Sequence, residues 1–214
     1  MTPAGIVSLK SNGCRIDILP IVKGLVSDAE RVREAYGGYE AYGLPLGIEE
    51  LTALMRRKEI GDECELSELD LVYARRLSEI GDVEAPTPAF CELADLCSED
   101  DIFIIPLDMN NDLFSSHYVE SVGTLEFVKE HRMAKKGMKM KFDLSSPNAF
   151  AEDWDRFVNK PKGFAKLTAL REKYIAGQIL DTAKYRKSLL AVIETERVGN
   201  VVAALALTSE SVSP

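Results

Sequence analysis

Histidine is almost absent from this chain, with two among 214 residues. Both, His117 and His131, fall in one amphipathic stretch, away from any cysteine pair with zinc-like spacing. No metal and no other cofactor is therefore expected. Cysteine is sparse too: Cys14, Cys64, Cys91 and Cys97 are irregularly spaced in a chain too large to need stapling, which predicts reduced thiols. The longest apolar stretches, Leu189 to Ile193 and Val201 to Leu207, fall far short of the roughly 20 residues that span a bilayer, so no transmembrane segment is expected. The start, Met1-Thr2-Pro3-Ala4-Gly5, lacks the basic and apolar regions of a secretory signal, and the cytoplasm is the expected compartment. Neither a glycine-rich phosphate loop between strand and helix nor a Gly-x-Ser-x-Gly elbow is present.

Positive charge is in deficit, with 26 lysines and arginines against 35 acidic residues and a net charge of −9. A general attraction to phosphate backbones is thereby excluded, and nucleic acid is not expected as a partner. A small anionic ligand, a protein or a second copy of the chain in a homo-oligomer remains.

Hydrophobic residues at 46% and charged residues at 29% are ordinary globular usage. The length predicts one cooperative unit, a single α/β domain over 1–214, with Thr208 to Pro214 (208–214) as a frayed tail. Ile16 to Val22 reads as a buried strand. Ser27 then stands at capping-box spacing from Glu30, and Gly37-Gly38 stops the helix that follows. Tyr39 to Leu46 can form a second strand, followed by a helix from Ile48 to about Lys58. Ser67 and Asp70 cap an amphipathic helix that runs to Gly81, and a shorter helix, Ala89 to Cys97, follows a proline break. Ile102 to Leu107 and Leu189 to Ile193 are apolar without alternation, so both are expected as interior strands. Between them the pattern gives one long helix from Asp112 to Lys135, another opened by Ser146-Pro147, and a third after Pro161-Lys162-Gly163. A last helix begins near Gly199. Strands alternating with helices predict an α/β fold with a mostly parallel sheet flanked by helices on both faces.

In such sheets ligands collect beyond the carboxyl ends of the strands, which makes Lys23, Asp108, Glu194 and Glu196 the first candidates. Asp108 is either a ligand-binding carboxylate or a turn and cap residue beside Asn110 and Asn111. Asp108-x-Asn110-x-Asp112 also opens like a calcium loop, but Leu113 and Val119 stand where the glycine and bidentate glutamate belong. Lys23 can bind an anion, act as a desolvated base, or simply be exposed. Glu194 and Glu196 would share a side if the strand continued through them, giving either an acid/base pair or an exposed acidic turn. Arg171 lies at helical spacing from Leu167 and Tyr174 on a face that should be buried, so it needs an acidic partner, with Asp108 the expected one, or an anionic ligand. Lys129 to Lys141 holds six lysines and arginines with Met133, Met138, Met140 and Phe142 among them. It suits a membrane surface or an acidic partner, or is a solvated helix end.

The order of segments resembles the TraB/PrgY family over roughly residues 16 to 205. Leu107-Asp108 resembles that family's aspartate after a central strand, Arg171-Glu172-Lys173-Tyr174-Ile175-Ala176 its Arg-Asp-x-x-Met-Ala helix, and Leu189 to Ile193 its final strand. Both Gly-x-x-His motifs are missing: Val22-Lys23-Gly24 stands at the first and Glu194-Thr195-Glu196-Arg197 at the second. The resemblance implies a scaffold that has lost the family's proposed metal ligands and retains Asp108 and Arg171. The expectation is a divergent, metal-free relative that binds a ligand or a protein. The alternative is a metal-independent hydrolase using Lys23, Asp108, Glu194 and Glu196.

Overall fold

Asn12 and Gly13 turn the chain back on itself, both with positive φ (49° and 80°), the geometry that matches the twist of a two-residue hairpin. The hairpin joins β1 (Val7–Ser11) to β2 (Cys14–Ile21), an antiparallel pair in an otherwise parallel sheet. In the computed structural model, which describes residues 5–60 and 66–210, the sheet has five strands in the order β1-β2-β5-β3-β4. β3 is Ala41–Leu44, β4 is Ile104–Pro106 and β5 is Ser188–Glu194. β5 pairs in parallel with β2 on one side and β3 on the other, so the last strand of the chain is the central one.

Alternate residues of β5 enter two apolar clusters. Leu190 and Val192 join residues of α1 (Asp28–Ala35), α2 (Ile48–Met55) and α5 (Pro88–Glu99). Leu189, Ala191 and Ile193 join residues of α9 (Lys162–Ala183) and α10 (Thr195–Glu210). A third cluster lies beyond the end of β2, where Val22 and Leu25 meet Tyr73 of α4 (Glu68–Leu77) and Phe150, Trp154 and Phe157 of α8 (Pro147–Val158). Its rings stand edge to face or tilted, with Tyr73 5.2 Å from Phe150 and 5.6 Å from Trp154. Each such ring contributes about 1.5–3 kcal/mol by burial.

Several expectations need correction. β4 is an edge strand, not an interior one. Only three residues of the apolar run pair, with β3 alone, and Phe103 points into solvent at 77% exposure. Pro106 has no N–H to offer a further neighbour, which suits an edge. The long helix over Asp112–Lys135 is two helices, α6 (Asn111–Ser121) and α7 (Thr124–Gly137). Val122 is extended, and Gly123 starts the second helix with its N–H donating to Glu126 Oε2 at 3.3 Å. The helix over 48–58 likewise breaks at Arg56, before the single turn α3 (Arg57–Ile60). Ser27 makes no cap hydrogen bond. The buried Asp28 instead accepts the Val22 N–H at 2.6 Å and the Arg31 guanidinium at 2.8 Å, which fixes the exit from β2.

The Ser67–Asp70 capping box forms, with the Asp70 N–H donating to Ser67 Oγ at 3.1 Å. α10 starts at Thr195, before Gly199, and runs through Glu210, so the first residues of the expected tail are its last turn. Residues 211–214 lie outside the described ones, as does Cys64, while Cys14, Cys91 and Cys97 form no disulfide. No described helix is long and apolar enough to cross a membrane.

Candidate functional site

Because β2, β3, β4 and β5 are parallel, their carboxyl ends open on one rim. Asp108 leaves β4 there and is 5% exposed. Its N–H donates to the Leu46 carbonyl at 3.2 Å, and its Oδ1 accepts the Met109 N–H at 2.8 Å. Its Oδ2 accepts from Arg171 Nε at 2.9 Å and from Arg171 Nη2. The expected pair is thus present, although the guanidinium is half-buried, with a quarter of its side chain exposed (25%) and its plane over Phe114 at 5.5 Å. The next residue, Glu172, is buried and receives both its hydrogen bonds from Asn200 Nδ2, at 3.1 and 3.0 Å. Burial pushes its carboxyl above the usual range despite that amide and the nearby Arg197.

β5 passes into α10 without a loop. Glu194 is the last strand residue and Thr195 the first helical one, so Glu196 and Arg197 occupy the first helical turn. The strand does not continue through Glu196, and it is the helix start that sets the two carboxylates close enough to interact. Burial, then repulsion from Glu194, pushes Glu196 from the ordinary 4.5 up to about 7. Arg197 Nε stands 3.7 Å from Glu194 Oε2. Burial works against the Arg197 charge, but Glu194, Glu196, Asp108 and Asp155 together outweigh it and raise its pKa. Asp155, on α8, is itself raised by burial, and its Oδ1 accepts from Asn159 at 2.8 Å.

Tyr73 completes the group from α4. It is 7% exposed, and its hydroxyl pKa is raised first by burial and then by Glu196 and Glu194. Four buried polar atoms in this group have no hydrogen-bond partner: Tyr73 Oη, Glu194 Oε2, Glu196 Oε2 and Arg197 Nη1. Buried polar atoms without partners are uncommon and ask for an explanation.

Lys23 takes no part. It is exposed after β2 and pairs with Asp70 Oδ1 at 2.8 Å. Burial alone would raise the Asp70 carboxyl, but Lys23 and Ser67 hold it below its ordinary value. Of the sequence candidates, Asp108 and Arg171 come together, as do Glu194 and Glu196. Arg197, Tyr73, Asp155 and Glu172 are not among the sequence candidates. Arg197 follows a named candidate by one residue, whereas Tyr73 read as an ordinary core position. Among the described residues no three of His, Cys, Asp and Glu are arranged to hold a metal ion. Two shallow depressions, beside Ile48 and Thr52 and beside Ile105 and Tyr185, are lined by none of these residues.

The protein is thus of α/β class, with a mostly parallel sheet and a buried polar centre beyond its strand ends. Neither a family model, nor a curated protein, nor a solved structure matches this chain.

Proposed function

We propose that this chain is a metal-free, TraB-like scaffold that binds a small polar ligand at the strand-end rim, centred on Glu194, Glu196, Arg197 and Tyr73. The observation that carries the reading is the set of four buried polar atoms without hydrogen-bond partners, which a ligand offering both donors and acceptors would satisfy. Carboxyl groups outnumber the single Arg197 guanidinium here, and Arg171 is already engaged by Asp108. The electrostatics therefore favour an amine- or hydroxyl-bearing molecule over the anionic ligand expected from sequence.

Two further features support the TraB-like part of the reading. The segments that carry the resemblance converge, since Val22 follows β2, Asp108 follows β4, Arg171 lies on α9 against it, and Glu194 ends β5 beside Ile21. The two apolar sets of β5, one toward α1, α2 and α5 and the other toward α9 and α10, suit a sheet with helices on both faces.

Thermal unfolding against a panel of small polyols, amines, amino acids and carboxylates tests the proposal. A ligand present at a hundred times its Kd stabilises by about 2.7 kcal/mol. The expected hit bears an amine or hydroxyl and loses its effect in both Glu194→Gln and Arg197→Met. A hit that survives both changes would locate binding elsewhere.

One observation favours a second reading as a metal-independent hydrolase. Glu196, raised to about 7 beside Glu194, is matched to proton transfer at neutral pH. Under that reading Glu196→Gln abolishes turnover of an ester, amide or glycoside probe while leaving its binding intact.

A further inference from the structure

The carboxyl-terminal half of α7 sorts its residues by side. Met133, Ala134 and Gly137 face the protein and are buried, the first two within the aromatic cluster and Gly137 against Trp154 and Val72. Arg132, Lys135, Lys136 and Lys139, at spacing i, i+3, i+4 and i+7, form the opposite, exposed face. The backbone keeps turning past the helix end, with the Met138 N–H on Ala134 O at 3.1 Å and the Met140 N–H on Lys136 O at 3.0 Å, so Lys139 stays in register. Lys141 is exposed just beyond, and Met138 is 48% exposed on the flank. The side chains of Lys129 and His131 lie outside the described ones.

The chain carries nine more acidic than basic groups, and several of its cations find carboxylates. Arg33 has Glu30 and Glu92, Arg57 has Asp95, and Arg76 has Glu79. None of Arg132, Lys135, Lys136, Lys139 and Lys141 is in an ion pair with a described carboxylate. Two described acids that follow this face in the chain are otherwise engaged. Asp143 Oδ1 accepts the Ser145 N–H at 2.9 Å, and Asp153 holds Arg156 at 3.2 Å and the Asp143 N–H at 3.0 Å. A helix C-terminus accounts for the last turn's two lysines. It does not account for Arg132, a turn earlier, or for Lys139 and Lys141 beyond the end.

We propose that this cationic face is an electrostatic docking surface for an anionic lipid bilayer. The two depressions described above lie on other elements, and exposed cations along one side of a helix complement negative charge spread over a plane. A planar anionic surface needs no groove. Met133 and Ala134 of α7 are already buried in the protein, so attachment at this face is by charge, with Met138 the one exposed apolar side chain at its edge among the described residues. The Debye length of about 8 Å at physiological salt lets this local face outweigh the more distant net negative charge.

Co-sedimentation of the full chain with phosphatidylcholine vesicles, with and without added phosphatidylserine, tests this. Binding is expected to the phosphatidylserine vesicles only. Each cation strengthens such contact by about five-fold, so the triple variant Lys135→Glu, Lys136→Glu, Lys139→Glu should weaken binding by at least about a hundred-fold. High salt should release the wild type. If the reversed variant misfolds by circular dichroism, the corresponding Lys→Gln triple serves in its place. Absence of binding, equal binding to both vesicle types, or full binding by a folded variant would overturn the proposal. Capture of polyglutamate without vesicle binding would also overturn it, in favour of an acidic protein partner.

Discussion

Arg171 places two nitrogens on a single oxygen of Asp108, Oδ2, while the other oxygen is held by the Met109 N–H. The carboxylate, 2% exposed, thus takes its direct ion pair from one side chain of α9, with Arg197 adding positive charge from further away. Arg171→Ala is expected to cost about 3 kcal/mol, the lower end for breaking a buried pair because a quarter of the guanidinium already meets water. The urea midpoint of the variant measures it. Unchanged stability with lost ligand binding would instead mark Arg171 as a ligand-holding residue.

Glu196 makes stability depend on pH in the direction opposite to that of most salt-bridged carboxylates. Its pKa is raised in the folded protein, from the ordinary 4.5 to about 7, so the folded state holds the extra proton between those values. Its contribution is fully present below about pH 4.5 and is lost as pH rises through about 7. Glu172 and Asp155, both raised by burial, act in the same sense. Glu196→Gln should therefore be more stable than wild type at alkaline pH and nearly equal to it under acid conditions. Urea unfolding across the range decides. A variant that is uniformly less stable would contradict the assignment.

Among the described residues, Asn200 supplies the side-chain hydrogen bonds that Glu172 receives. Asn200→Ala should cost about 1–3 kcal/mol, because a buried carboxylate loses its donors. Combining it with Glu172→Gln should recover part of that loss. Thermal unfolding of the single and double variants tests the coupling.

Gly47 has no room for a side chain, since a Cβ there would collide with the carbonyl oxygen of Met109, a backbone atom that cannot swing away. Gly47→Ala should destabilise by about 1–3 kcal/mol. The strain falls beside Asp108, so the variant should also weaken the Arg171 pair, and Arg171→Ala should cost less in that background. Equal costs in both backgrounds would refute the coupling.

Much of the scaffold was legible because continuous apolar runs mark buried strands, as at Ile16–Ile21 and Leu189–Ile193. The same rule misplaced β4, since a run with a solvent-facing Phe103 looks identical in sequence to an interior strand. β1 lies outside the expected strands although Asn12-Gly13 signals a hairpin and Val7 and Leu9 alternate with Ser8 and Lys10, because two apolar residues make a short and weak pattern. Arg171 and Asp108 could be joined from sequence, as each follows from a local rule, helical spacing and strand-end position. The grouping of Tyr73 with Glu194, Glu196 and Arg197 could not. It depends on how α4 packs and on where α10 begins, neither of which leaves a local signal.

The missing loop between β5 and α10 constrains how this centre could diversify. Most α/β proteins vary their chemistry by lengthening or exchanging the segments after their strands, leaving the sheet untouched. Here one inserted residue after Glu194 would rotate Glu196 and Arg197 by about 100° around the helix axis and scatter the group. New specificity at this rim is therefore confined to side-chain replacement, position by position, on a backbone that admits neither insertion nor deletion.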